Sequence, residues 1–120
     1  MTLPIKENIN VIDNIPTSRL IGRRATARYV DDRGRRYCAI HHRRSEFAIV
    51  ARTSKKVSEN GMTFLGTIVR WSGGPGHHEW GCYWTALGGM ERGPYRGVRA
   101  ALCAFVQHMR SGLISAPEAQ

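Results

Sequence analysis

"ATARYVDDRGRRYCAIHH", residues 25–42, is the stretch on which the reading of the fold turns. Two runs rich in β-branched and aromatic residues, "ATARYV" and "RRYCAIHH", flank "DDRG". An aspartate opening a turn and a glycine closing it suit a short hairpin loop with Gly34 at positive φ. If Val30 pairs with Arg35, one face carries Thr26, Arg28, Val30, Arg35, Tyr37, Ala39 and His41. The other carries Ala25, Ala27, Tyr29, Arg36, Cys38, Ile40 and His42. The second set is the more apolar, so this register turns it to the core. Tyr37 and its arginine neighbours then face outward.

Downstream, "EFAIVAR" is a short, continuous apolar run and reads as a buried strand. The polar stretch "TSKKVSENG" ends in Asn60-Gly61, a turn signal. "MTFLGTIVRW" is a further strand with Gly66 as a candidate bulge. "SGGPGHHE" is a glycine-rich loop, and "WGCYWTAL" reads as the last strand, with Trp80 and Trp84 packing in the core. "GGMERGP" then turns into a helix over about 95–110, with Pro94 near its first position and Gly112 past its end. Tyr95, Val98, Ala101, Leu102, Phe105, Val106 and Met109 form its apolar stripe. The expected architecture is α+β: an antiparallel sheet of four to five strands in a hairpin or meander, followed by one C-terminal amphipathic helix packed on one face. Residues 1–18 read as an arm, 19–112 as a single domain and 113–120 as a tail. A small-residue side of the helix, Gly97, Ala100 and Ala104, would suit a homodimer contact.

The 120-residue chain has a formal charge of +9. Between Arg19 and Lys56 there are twelve Lys/Arg and three acids, Asp31, Asp32 and Glu46. The remainder holds six of each sign, so the whole excess belongs to that window. Such an excess speaks to partners rather than to fold. Three cysteines without framework spacing argue against a disulfide scaffold and for a reducing, cytoplasmic setting. No apolar run is long enough for a membrane span, and the first residues lack the apolar core of a signal peptide.

These features point to a basic nucleic-acid-binding module, DNA or RNA, with weak sequence selectivity and no cofactor. Its expected phosphate ligands are Arg28, Arg33, Arg35, Arg43, Arg44, Lys55 and Lys56, with Tyr37 stacking and Arg96 and Arg99 bordering the same face. The charge equally suits an interaction protein or inhibitor, of the kind found in phages and mobile elements, docking on an acidic protein or a nucleoprotein complex. A third reading is a histidine nuclease using His41, His77, His78 and Glu79 as acid–base groups. A zinc site would draw on Cys38, His41, His78 and Cys82. Cys38 and His41 lie three apart in a strand, however, and so point to opposite faces.

The strings "YRGVR" and "FLGTI" resemble strings of plant AP2 DNA-binding domains. They occur here in the reverse order, so the resemblance assigns no family.

Overall fold

The computed structural model describes residues 14–54, 56, 60–71 and 80–112. Lys55, His77, His78 and Glu79 therefore lie outside the described residues, as does most of the N-terminal arm.

The hairpin forms as β1 (Ala25–Val30) and β2 (Arg36–Arg43), but one residue away from the expected register. Val30 faces Arg36 and Tyr29 faces Tyr37. The cause is the turn. The backbone of Asp31 donates to the carbonyl of Arg35 (2.9 Å), and Gly34 donates to the carbonyl of Asp31 (3.0 Å). Gly34 has φ 79°. This is a three-residue loop closed by the Asp31–Arg35 pair, with a glycine bulge after the turn. The Asp31 side chain fixes it by accepting the backbone N–H groups of Arg33 (2.9 Å) and Arg35 (2.8 Å). A slip of one residue exchanges the two faces of a strand relative to its partner. Tyr37 thus lies inward, 1% exposed, with Ala27, Tyr29 and Ala39 beside it. Arg28, opposite Cys38, lies on the other face.

The chain continues as a meander through β3 (Glu46–Arg52), β4 (Met62–Trp71), β5 (Gly81–Ala86) and β6 (Glu91–Tyr95). All neighbours are antiparallel, in the order β1-β2-β3-β4-β5-β6. The sheet has six strands, not four or five. The sixth is "ERGPY", whose Gly and Pro read as a turn and a helix start. At a sheet edge the missing Pro94 N–H leaves no ladder bond unmade. Gly93 (φ 152°) lies against the Tyr83 ring, where any Cβ would collide. Gly66 has the same role within β4. The register shifts beside it, and its missing Cβ makes room for the carbonyl of Thr85.

The helix α1 runs Val98–Arg110, with Gly97 as an extended N-cap. Pro94 is therefore not its first residue. Its buried side chains are Val98, Ala101, Leu102, Phe105, Val106 and Met109, as the stripe requires. They pack on Tyr37, Ala39, Phe47, Ile49, Ile68, Cys82 and Trp84. Trp84 meets Phe105 edge-on at 5.3 Å. Of the small-residue side, Ala104 packs partly on this core and Ala100 is exposed.

The opposite sheet face is covered too. A 3-10 turn, Thr17–Leu20, brings Leu20 and Ile15 onto Cys38, Ile40, Ala48, Val50, Met62 and Phe64. Asn60 ties it down by donating to the Thr17 hydroxyl at 2.9 Å. Burial on both faces explains why β3 and β5 read as continuous apolar runs instead of alternating. No described helix is long and apolar enough to cross a membrane.

Candidate nucleic-acid interface

In a meander, successive turns fall at alternate ends of the sheet. The β1–β2 turn, with Arg33 and Arg35, lies at one end, and so does the β3–β4 turn with Lys56. Arg43 and Arg44, in the β2–β3 turn, lie at the other. From Arg35 to Arg43 is eight residues of strand, roughly 26 Å. The sequence-predicted arginines therefore form two groups, with Arg28 apart from both. Tyr37, buried under α1, has no ring face to offer a base. Burial, and then the charge of Asp31, raise its pKa, while the Arg35 guanidinium works in the opposite direction.

The end bearing the β2–β3 turn has the larger net positive charge among the described residues, because the other end, with as many Arg and Lys, also holds Asp31, Asp32 and Glu91. β1 begins there after Arg23 and Arg24, β4 ends there with Arg70, and β6 leaves it through Arg96 into α1, whose first turn carries Arg99. With Arg43 and Arg44, that is a rim of seven arginines; among the described residues only one carboxylate, Glu46, accompanies them. The rim crosses six strands, or roughly 24 Å at about 4.8 Å each.

Local bonds hold several of these side chains in place. An Arg23 Nη donates to the carbonyls of His41 (3.2 Å) and His42 (3.0 Å). The Arg70 guanidinium lies 5.5 Å above the Phe47 ring. Its backbone N–H donates to Ser45 at 2.9 Å, joining β4 to the turn. Arg43 pairs with Glu46 at 3.2 Å, with the arginine 75% exposed. An exposed pair of this kind is weak and exchanges readily for another anion. Arg44 has φ 46°, a left-handed conformation that a non-glycine residue adopts at a cost. Its carbonyl meets His41 Nε2 at 2.6 Å. The helix adds its own field. Its N-terminal turn has no acidic residue and no side-chain cap, so the positive end of the macrodipole sits at the rim.

Trp80, immediately before β5 at this end, is 73% exposed. The strand pattern places it in the core beside Trp84, but only Trp84 is buried there. Arg23, Arg24, Arg70 and Trp80 are thus rim residues that the charge window or the strand pattern did not single out. Strand parity over the five strands legible in the sequence is the signal that would have found them; the sixth strand decides only that Arg96 and Arg99 join them.

Of the zinc set, His78 lies outside the described residues, and the other three do not converge. Cys38 belongs to the layer under the 3-10 turn and Cys82 to the layer under α1. His41 lies against Phe47, on the α1 side of the sheet (ring centroids 5.3 Å). Among the described residues no cluster of three metal-ligating side chains occurs. Of the conditional nuclease residues, His41 is engaged by the Arg44 carbonyl, and the others lie outside the described residues.

Comparison with known protein families, curated proteins and solved structures gives no match.

Proposed function

We propose that the chain is a nucleic-acid-binding module that meets phosphates along the rim formed by Arg24, Arg43, Arg44, Arg70, Arg96 and Arg99, with Trp80 as a stacking platform. The observation that carries this reading is the concentration of arginine, with a single described carboxylate, along one end of the sheet. Contacts of this type neutralise phosphates and release counterions, so they carry affinity without reading sequence. An exposed tryptophan among arginines favours unpaired bases, which present a free ring face. Relative to the set expected from sequence, Arg43, Arg44, Arg96 and Arg99 stay in the reading; Tyr37, Arg28, Arg33, Arg35 and Lys56 leave it, and Lys55 lies outside the described residues.

The test is fluorescence anisotropy with single-stranded and duplex oligonucleotides over a salt series. Four or five phosphate contacts on a single strand give a slope of log K against log salt of roughly −3 to −3.5. Single strands bind more tightly than duplexes, and an Arg44→Ala, Arg96→Ala double variant loses affinity for all sequences alike. An affinity indifferent to salt overturns the reading. In a parallel capture experiment, contacts that survive nuclease treatment indicate an acidic protein partner instead.

A further inference from the structure

The opposite end of the sheet holds a cavity that the rim reading does not use. It lies between the β1–β2 turn and the last turn of α1, has a volume of about 260 Å³, and is lined by Asp31, Arg33, Arg35, Tyr37, Met109 and Arg110. At about 30 Å³ per water it is the size of eight or nine waters. That is room for a phosphate group and part of what carries it, and less than a drug-sized site needs.

The carboxylates nearby are already engaged. Asp31 is 8% exposed, and its Oδ1 accepts two backbone N–H groups. Asp32, which does not line the cavity, accepts an Arg110 Nη at 2.8 Å. Neither Arg33 nor Arg35 forms an ion pair among the described residues. Three guanidinium groups and one buried carboxylate line a single small concavity; with Arg110 already paired to Asp32, the surroundings keep a net positive charge and three sets of N–H donors, which suit a phosphate group. A helix C-terminus ordinarily repels anions through its free carbonyls. Here three of the four, those of Gln107, His108 and Met109, are occupied. Ser111 donates from its backbone to Gln107 (3.0 Å) and from its hydroxyl to His108 (2.8 Å), and Gly112 donates to Met109 (3.1 Å).

We propose that this cavity binds a phosphomonoester dianion, with Arg33, Arg35 and Arg110 as its charged donors and the Tyr37 hydroxyl at its floor. A mid-strand phosphodiester carries one charge and needs two exits, whereas a monoester enters end-on. The same group occurs on the phosphorylated end of a strand and on free phosphate or a nucleoside monophosphate. The site stands about a strand length from the rim, so either can fail without the other.

The experiment has two arms on the full chain. In the first, inorganic phosphate and a nucleoside monophosphate are titrated while the arginine Nε–H signals are followed by NMR. Saturable shifts at Arg33 and Arg35 are expected, with affinity about tenfold lower in Arg35→Gln, the scale of one hydrogen bond to a charged group. Arg33→Gln, at an exposed turn position, gives the same answer should Arg35→Gln fold poorly. Arg36→Gln, on the other sheet face, stays within about twofold of the parent, because that position is outside the concavity and feels only screened charge. In the second arm, end-phosphorylated and unphosphorylated single strands of one sequence are compared by anisotropy. A preference for the phosphorylated end that disappears in Arg35→Gln assigns the site to strand ends. Equal affinities with phosphate binding retained assign it to free phosphate or nucleotides. Either result supports the proposal. No saturable response to millimolar phosphate or nucleotide, or equal losses in Arg35→Gln and Arg36→Gln, overturns it. Absence of all oligonucleotide binding counts against the rim alone.

Discussion

Replacing Arg44 by glycine should make the protein more stable and a weaker binder at once. Arg44 holds φ 46° in the β2–β3 turn. For an L-residue the left-handed conformation costs about 1–2 kcal/mol, a penalty glycine does not meet. Glycine also loosens the unfolded chain, which takes back about 0.4–1 kcal/mol. The net gain is about 0.5–1 kcal/mol. For a chain of this length that raises Tm by about 2–5 °C. The bond between His41 and the Arg44 carbonyl uses the backbone, so the substitution leaves it intact. Loss of one phosphate contact should reduce the salt slope of single-strand binding by about 0.7. Circular-dichroism melts and anisotropy over a salt series measure the two effects separately. Arg44→Asn, which tolerates the same conformation without charge, should match the glycine variant in binding. A lower Tm for Arg44→Gly refutes the reasoning about the turn, and an unchanged salt slope removes Arg44 from the phosphate contacts.

Further outcomes are expected at three positions. Tyr37→Ala, at a site 1% exposed, should cost about 3–5 kcal/mol in urea unfolding, as truncation of a core aromatic does. Tyr37→Phe should cost under about 1 kcal/mol, because the hydroxyl's bond to Asp31 is long at 3.5 Å. The raised Tyr37 pKa means the unfolded chain loses this proton first. Its contribution is therefore complete below pH 10 and is lost as pH rises through the folded value. Urea midpoints should fall less steeply above pH 10 in Tyr37→Phe than in the parent. Gly66→Ala drives a Cβ into the carbonyl of Thr85 and should destabilise by about 1–3 kcal/mol, read from the melting curve. Trp80→Ala should leave stability within about 0.5 kcal/mol, since the ring is 73% exposed, yet weaken single-strand binding by about 1–3 kcal/mol. Unaltered affinity in that variant would place Trp80 outside the interface.

Local chemistry made much of this protein legible from its residues. Alternation and β-branched content identified five strands, and the 3.6-residue period of Val98 to Met109 identified the buried face of the helix. Gly34 and Gly66 were recognisable as a turn residue and a bulge, because both features require a missing side chain. Three properties were decided only in three dimensions. The Asp31 carboxylate, by gathering the N–H groups of Arg33 and Arg35, shortened the hairpin loop and turned Tyr37 inward. "ERGPY" became a strand because Tyr83 and the β5 edge were there to receive it, which no window around Gly93 and Pro94 reveals. That sixth strand reversed the helix relative to the sheet. With five strands, α1 would start beside Arg33 and Arg35; with six, it starts beside Arg43 and Arg44, and Arg110 ends beside Asp32 instead. Sequence alone determined how much positive charge the chain carries and which segments repeat every two residues or every 3.6. Where that charge converges depended on the number of strands, because each antiparallel crossing sends the chain to the other end of the sheet.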